Sequence, residues 1–357
     1  MGLPNINIEF KTQAISAIKR SAKGIVAIIL KDAEEGVQGA HTLINNTKIP
    51  AGLDATNKDY INQAFMGYIN VPRKILLYVL PKTEDNLSEA LNYFATQVFD
   101  YIVAPPDCSP AEAAEIVAWV KSMREENDFT PKAVLPDMVA DSEAIINFTT
   151  NDIKVKDKEY ETSGYCARIA GLIAGTPMTV SCTYAPLTEV TDVERLSKDQ
   201  MDEAIDNGEF IIFHDGEKVK VGRGINSLKT TTQDKGDIFK KIKIVEAVDM
   251  IKNDIKITAQ DSYIGKYANS YDNKCLLMTA ISGYFTQLEL DGILQAGVSS
   301  VGIDMEAQEA YLQSVGKDTS EMTEQEIKEA NTSDKVFLKA NIKILDAIED
   351  IDLGIVI

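Results

Sequence analysis

Both ends of the chain alternate apolar and polar residues with a period of two. The apolar positions are Ile6, Ile8 and Phe10 near the amino terminus and Ile351, Leu353, Ile355 and Ile357 at the carboxyl terminus. A period of two predicts a strand with one apolar face. Because chain ends are usually frayed and polar, each strand is expected to pair with a sheet edge, in the same molecule or in a neighbour.

A third alternating segment precedes the carboxyl-terminal one. Between Lys335 and Leu345 one face collects Val336, Leu338, Ala340, Ile342 and Ile344. This spacing predicts a longer amphipathic strand. The short acidic segment Asp346 to Asp350 then links it to the terminal strand.

The first half of the chain has the pattern of an α/β domain. Residues Gly24 to Leu30 are apolar without alternation and rich in β-branched side chains, which predicts a strand buried on both faces. Strand and helix patterns then alternate over Lys74 to Leu80, Glu84 to Gln97, Tyr101 to Ala104, Pro110 to Glu126 and Lys132 to Leu135. Such alternation predicts a mainly parallel sheet covered by helices.

Shorter elements follow, and the last third is mainly helical. The patterns predict an apolar helix over Tyr165 to Ala174, an acidic helix over Ser197 to Asn207 that Gly208 closes, and a hairpin about His214. Three- and four-residue spacing of apolar positions predicts a long helix that includes Ile238 and Val245, and another over Asp272 to Leu290.

These elements predict an α/β chain, α+β overall, with mixed sheets and extended strand arms at its two ends. The expected divisions are an amino-terminal arm at 1–23, a β-rich region at 24–83 that is inserted or partly joins the core, an α/β middle domain at 84–230, a carboxyl-terminal domain at 231–345 and a terminal arm at 346–357. A chain of 357 residues is long enough for two or three such domains.

Composition narrows the function classes. The net charge of −19, from 36 basic and 55 acidic residues, argues against a protein that coats nucleic acid, which needs clustered cations. No signal peptide is evident, and the most apolar helical stretch is far shorter than the roughly 20 residues of a bilayer span, so no membrane insertion is expected. Four cysteines without CxxC spacing predict reduced thiols and a cytoplasmic protein.

Site chemistry is sparse. Neither His41 nor His214 lies in a recognisable catalytic or metal-binding pattern, and Gly222-Arg223-Gly224 is not a dinucleotide fingerprint. We therefore expect no catalytic residue, metal or cofactor. The acidic cluster of Asp346, Glu349, Asp350 and Asp352 lacks EF-hand spacing, as does the cluster at Glu125, Glu126 and Asp128; these are expected to be solvated faces or charge pairs between subunits.

Four segments, in order along the chain, resemble the contractile-tail sheath family. They are Ala167 to Gly175, similar to "aRiAGliA"; Gly222 to Leu228, similar to "VRGINTL"; Tyr263 to Tyr271, similar to "yiGK…N"; and Leu345 to Ile351, similar to "DAMEKI". The opening Gly2 to Phe10 looks most like the shorter sheaths of prophage tails and phage-tail-like bacteriocins of Gram-positive bacteria. The match is looser from about 84 to 160.

The resemblance implies a helical polymer around an inner tail tube, with contraction driving the tube through a target envelope. It also implies that end strands of one subunit add to the carboxyl-terminal sheet of another. The donor residues would be Ile6, Ile8 and Phe10 in the amino-terminal strand and Leu353, Ile355 and Ile357 in the carboxyl-terminal strand, and the acceptors Val336, Leu338, Ile342 and Ile344.

The implied partners are further copies of the chain, the inner tube protein, and baseplate and tail terminator proteins. Assembly would take place in the host bacterial cytoplasm, before the sheath becomes part of the released particle. Lys240, Lys241 and Lys243, on the helix expected after Gly236, are candidates for the face toward the tube.

Two alternatives stay open at the level of sequence. The alternation between residues 73 and 135 also fits an α/β enzyme or ligand-binding domain, although site chemistry is missing. The second alternative is an inner tube or baseplate protein of a contractile tail, but tube proteins are generally much shorter.

Overall fold

The computed structural model describes residues 18, 23–233 and 235–356, and the chain divides into two compact units. Of the described residues, the larger unit contains 23–249, apart from 234, together with the segment that begins at Asp346, and the smaller unit contains residue 18 and Met250–Leu345. The predicted strand with Ile6, Ile8 and Phe10 lies outside the described residues, as does Ile357.

A seven-stranded sheet forms the centre of the larger unit. Its strands, in spatial order, are β2 (Gly39–Leu43), β3 (Lys74–Pro81), β1 (Ile25–Asp32), β4 (Tyr101–Val103), β5 (Lys132–Pro136), β6 (Ile145–Phe148) and β9 (Glu209–Phe210). All neighbours are parallel except β2, which runs antiparallel to β3. The predicted buried strand is β1, where Ile28 is fully buried opposite Leu77 and Val103.

Helices cover both faces of this sheet. The larger unit contains α1 (Ala55–Met66), α2 (Ser88–Phe94), α3 (Pro110–Glu126), α4 (Cys166–Ala174) and α5 (Lys198–Asp206). One apolar cluster includes residues of α1 and α4, and a second includes residues of α2 and α3. Gly171 of α4 lies against α1, where an added Cβ would come within 2.1 Å of the Ala64 carbonyl oxygen. This close packing explains the small residue at that position.

Two hairpins complete the larger unit. They are β7 (Ile153–Val155) with β8 (Lys158–Tyr160), and β10 (Ile212–His214) with β11 (Val219–Val221). The second is the hairpin predicted about His214. The predicted acidic helix is α5, which Ser197 caps and which Gly208 follows at a φ of 78°.

The smaller unit is mainly helical. Helix α6 (Ile242–Ser262) contains the boundary between the units, and the smaller unit continues with α7 (Tyr271–Leu290), β12 (Ser300–Ile303), α8 (Met305–Ser314), α9 (Glu324–Glu329) and β13 (Leu338–Asn341). The Tyr284 hydroxyl of α7 donates a hydrogen bond of 2.6 Å to the Asp254 carboxylate of α6. The predicted α/β fold with mixed sheets is confirmed.

Several boundaries differ from the predictions. Ile238 lies in a 3-10 turn before α6 and is 59% exposed, because α6 begins only at Ile242. The helix predicted over Glu84 to Gln97 is limited to α2, and the segments 24–83 and 84–230 contribute strands to one sheet. No helix in the described part of the chain combines the length and apolar character needed to cross a bilayer.

Candidate assembly interface

The predicted acceptor segment forms one side of a short antiparallel ladder. Strand β13 pairs with β12, and the ladder is extended by the Asp304 amide, which donates to the Phe337 carbonyl at 3.1 Å. Beyond a turn, the Gln295 amide donates to the Lys343 carbonyl at 2.8 Å. The regular strand is therefore shorter than the predicted Lys335 to Leu345, but the pairing covers most of that range.

The opposite edge of β13 is open. Because backbone groups alternate in direction along a strand, and Phe337 and Lys343 bond toward β12 and its extension, the amides and carbonyls of Leu338, Ala340, Ile342 and Ile344 point the other way. No described residue pairs with this edge, since the sheet of β12 and β13 has two strands.

The four predicted acceptor residues lie together along this segment. Leu338 belongs to β13, whereas Val336 and Ile342 lie just beyond its ends and are 41% and 36% exposed. Ile344 forms an isolated bridge with Leu294. A strand that has an unpaired edge and an exposed apolar face can pair with another strand. The geometry of this segment therefore suits the acceptor role, which stays a prediction.

A buried polar cluster holds the loop that leads into β13. The Asn269 side-chain amide donates to the Ser333 and Lys335 carbonyls at 2.9 Å each and lies 3.0 Å from the Thr332 hydroxyl. The Lys274 ammonium donates to that hydroxyl at 3.1 Å and to the Gln308 side-chain carbonyl at 3.3 Å. Burial lowers the pKa of Lys274.

The segment with Asn269 resembles a sheath-family motif, and its contacts explain what it does here: it fixes the loop before β13, the segment predicted to accept a strand. No sequence pattern singled out Lys274, because a lysine inside a helical sequence ordinarily suggests an exposed position.

The root of the carboxyl-terminal arm is fastened to the larger unit by charge pairs, a group of contacts that we call the clasp. The buried Glu349 carboxylate accepts hydrogen bonds from the hydroxyls of Ser181 at 3.0 Å and Thr183 at 2.6 Å. Its other oxygen lies 3.4 Å from the Lys241 ammonium, which also pairs with Asp346. Asp350 pairs with Arg223 at 2.5 Å.

The clasp corrects one expectation. Asp346, Glu349 and Asp350 were predicted to be solvated or to pair between subunits. Asp346 and Asp350 are exposed, but Glu349 is buried, and all three pair with cations of their own chain. Sequence spacing could not show this, because Arg223 and Lys241 lie more than a hundred positions earlier.

Beyond the clasp, the arm is exposed to solvent. Residues 351–356 have no regular structure, and the side chains of Ile351, Leu353 and Ile355 are 81%, 74% and 76% exposed. Such exposure of alternating aliphatic residues is costly in water, and it indicates a segment that needs a partner surface.

The three lysines predicted to face an inner tube differ in their surroundings. Lys240 pairs with Asp237 at 2.8 Å and its side chain is 38% exposed. Lys241 belongs to the clasp, and Lys243 is buried, with a pKa that burial lowers. Of the three, Lys240 is therefore the most accessible, and the contact with a tube stays a prediction.

The described residues contain little reactive chemistry. No group of His, Cys, Asp and Glu side chains among them could hold a metal ion. Burial raises the pKa of the Cys166 thiol, and burial together with Glu112 raises that of Cys108 to about 12. Neither thiol is a thiolate nucleophile at neutral pH.

Comparison with protein families decides which class of protein has this architecture. The model of the phage tail sheath protein central domain matches residues 54–227, and that of the phage tail sheath C-terminal domain matches residues 234–357. The chain belongs to the phage tail sheath protein family. The resemblance carried by the four sequence segments is thereby confirmed.

Individual sheath proteins agree in sequence and fold. The tail sheath protein of Clostridium phage phiCD119 is 42% identical over 360 residues, which cover 99% of each chain. A sheath tail protein from Desulfitobacterium hafniense has a similar fold, with a TM-score of 0.70, 19% identity, and coverage of 84% of this chain and 94% of its own. The sheath protein in the contracted helical sheath of the anti-feeding prophage also has a similar fold, with a TM-score of 0.71 and 16% identity. The match covers 100% of this chain and 99% of that protein.

The sheath protein is thus a structural subunit of a contractile tail. The competing enzyme or ligand-binding hypothesis gains no support from these relatives. The similarity to the phage tail sheath protein covers 99% of both chains, so it applies to the whole chain and not to one domain.

Proposed function

We propose that the sheath protein polymerises into a helical tube by adding end strands of one subunit to the β12–β13 sheet of another. The carboxyl-terminal strand with Leu353, Ile355 and Ile357 comes from one neighbour, and the amino-terminal strand with Ile6, Ile8 and Phe10 from another. The single observation that carries the proposal is the open edge of β13 in a chain whose apolar terminal arm is itself uncovered.

Length and pattern of the two surfaces agree. From Leu338 to Ile344 the open edge spans six residue steps, about 20 Å at ~3.4 Å per residue. The arm from Ile351 to Ile357 also has six steps, with an apolar residue at every second position. Backbone hydrogen bonds would provide the attachment, and the alternating side chains would set the register.

Attachment at two ends of each subunit gives avidity along a helical lattice without a tight individual contact. We further propose that the polymer surrounds an inner tail tube and is bounded by baseplate and tail terminator proteins. Related assemblies include the anti-feeding prophage baseplate. Contraction is then a rigid-body change of subunit packing, during which the arms keep neighbouring subunits connected. This change of packing drives the tube through a target envelope.

The test is to close the open edge with one substitution. Ala340→Pro removes an amide that points away from β12 and leaves the amides that bond to β12 in place. The matched control is Ala340→Ser, which changes the same side chain but keeps the amide. Purified chains are compared by electron microscopy, along with chains that lack Met1 to Phe10 or Leu353 to Ile357.

We expect tubes from the unaltered chain and from Ala340→Ser, and folded monomers from Ala340→Pro and from both truncations. Circular dichroism and elution volume establish that the monomers are folded. Tubes from a folded Ala340→Pro chain and from both truncated chains would contradict assembly through strand addition.

A further inference from the structure

The two ends of the chain join the larger unit in different ways. The amino-terminal segment continues into β1, which pairs with β3 on one side and with β4 on the other. At the entry to β1, the Lys23 ammonium pairs with the Glu246 carboxylate at 2.7 Å. The Gly24 amide donates to the Asp100 carboxylate at 2.8 Å. Tension at this end therefore meets a central strand of the seven-stranded sheet.

The carboxyl-terminal arm instead follows an edge strand of a two-stranded sheet. After β13, the Lys343 carbonyl accepts from the Gln295 amide at 2.8 Å, and the Leu345 amide donates to the Ile293 carbonyl at 2.9 Å. Tension applied at Leu345 would load these bonds one after another, from the end of the pairing inward. Because one backbone hydrogen bond adds little net stability, β13 would then peel away from β12.

The clasp begins at the next residue of the chain. Leu345 ends the smaller unit, and Asp346, which pairs with Lys241, starts the terminal segment of the larger unit. The pairs of Asp346 and Asp350 are partly exposed, so solvent screens them. The Glu349 carboxylate is buried and accepts two hydroxyl hydrogen bonds, which its charge strengthens. Tension on the arm therefore reaches the clasp, and above all Glu349, before it reaches β13.

The part of the larger unit that receives the clasp is itself well held. The Gly224 amide donates to the Thr183 hydroxyl oxygen at 2.9 Å, and the Gly224 carbonyl accepts from the Ile242 amide at 3.0 Å. Thr183 of the clasp is thus connected to the first turn of α6. Glu246, in the next turn of α6, holds Lys23. Both chain ends are therefore anchored around the start of α6, and a path between them runs through the larger unit alone.

We propose that the clasp is a mechanical bypass, which takes tension from the carboxyl-terminal arm into the larger unit and keeps it off the β12–β13 sheet. The inference rests on the proposed strand addition, since an arm is pulled only when a neighbour holds it. In a tube, β13 of each subunit holds strands from its neighbours. A subunit whose own arm peeled β13 away would release those neighbours as well. The closed clasp lets contraction pull on the arm while the acceptor sheet of the same subunit stays intact.

The test stretches single monomers of the full chain in an optical trap. Handles are attached at the two chain ends, where neighbours would pull. Rupture of the clasp alone releases the segment Asp346 to Asp350, which adds less than about 20 Å. Opening of the smaller unit, Met250–Leu345, adds roughly 300 Å. The two events are therefore distinguishable by the length that each releases.

Three further chains complete the design. Glu349→Ala removes the buried carboxylate of the clasp, and Asp352→Ala is the matched control, which removes a carboxylate of the exposed arm beyond the clasp. In the third chain the clasp is unaltered, but the second handle is attached to the exposed side chain at position 343, upstream of the clasp. This attachment loads the smaller unit directly. Circular dichroism and elution volume establish that every chain is folded.

In the unaltered chain and in Asp352→Ala, we expect the smaller unit to open at a force about two-fold or more above that for the attachment at position 343. The reason is that the rate of forced opening rises only once the β12–β13 pairing itself is loaded. Glu349→Ala should lower the force to that of the attachment at position 343. Equal forces for the two attachments in the unaltered chain overturn the proposal without any substitution. An unchanged force in Glu349→Ala also overturns it.

The two proposals fail separately, because the pulling experiment uses monomers and the strand-addition experiment uses tubes. Equal opening forces would remove the role of the clasp and leave strand addition intact. Tubes from a folded Ala340→Pro chain and from both truncated chains would contradict strand addition. The force measurement would still decide whether the clasp carries tension from the arm.

Discussion

Lys274 links the stability of the fold to the candidate assembly interface. Its ammonium is buried on α7 and contacts the Thr332 hydroxyl and the Gln308 carbonyl oxygen, both neutral. Burial therefore lowers its pKa below the usual 10.5. Burying a cation costs free energy, yet the Lys274 ammonium lies where its hydrogen bond to Thr332 supports the loop before β13.

The lowered pKa of Lys274 predicts a particular pH dependence. Between the folded pKa and the unfolded value of 10.5 the unfolded chain binds more protons, so the free energy of unfolding rises with pH in that window. Lys274→Met removes this contribution. We expect the stability of the unaltered chain relative to Lys274→Met to increase from pH 7 to pH 10, as measured by urea unfolding of dilute samples.

The control is Lys339→Met, which removes an exposed lysine of β13. Its stability relative to the unaltered chain should change less over the same pH range. A difference between the unaltered chain and Lys274→Met that stays constant, or shrinks, as pH rises would contradict the role of burial.

At the scale of elements, the hydrophobic pattern was sufficient to predict helices and strands whose own residues form a clear apolar run or face. Strand β1 and the helices α3 and α4 all match their predicted ranges closely. Edge strand β2 and helix α1 were not predicted, because their apolar positions are few and irregular.

The candidate site divides in the same way. Alternation predicted the segment around β13 and the arm, since a strand carries its apolar face in its own sequence. The clasp at Glu349 and the cluster around Lys274 depend on partners far along the chain, and polar pairing of this kind has no period.

Register gives a prediction for the arm as an element. One serine inserted between Leu353 and Gly354 places Ile355 and Ile357 on the face opposite Ile351 and Leu353, whereas two inserted serines restore a single apolar face. We expect the single insertion to abolish tubes or reduce their yield severely, and the double insertion to recover a substantial part. Tube mass after sedimentation provides the measurement, and equal yields from the two insertions would exclude a register-dependent strand.

At the scale of the whole molecule, the net charge of −19 opposes the contact of identical subunits. The groups of the clasp pair within one chain and so do not offset repulsion between chains. The first 23 residues are different, because they carry Lys11, Lys19, Arg20 and Lys23 against Glu9 alone. Charge could therefore slow assembly through overall repulsion or promote it through this basic arm.

Ionic strength separates these two effects. The Debye length falls from about 30 Å at ~0.01 M salt to about 8 Å at ~0.15 M, which screens repulsion between whole subunits while leaving strand hydrogen bonds in place. We expect tube formation, followed by light scattering, to become several-fold faster over this range, and more so for a chain with Lys19→Gln and Arg20→Gln. Slower assembly at the higher salt would instead show that attraction by the basic amino-terminal arm outweighs the repulsion of the acidic bodies.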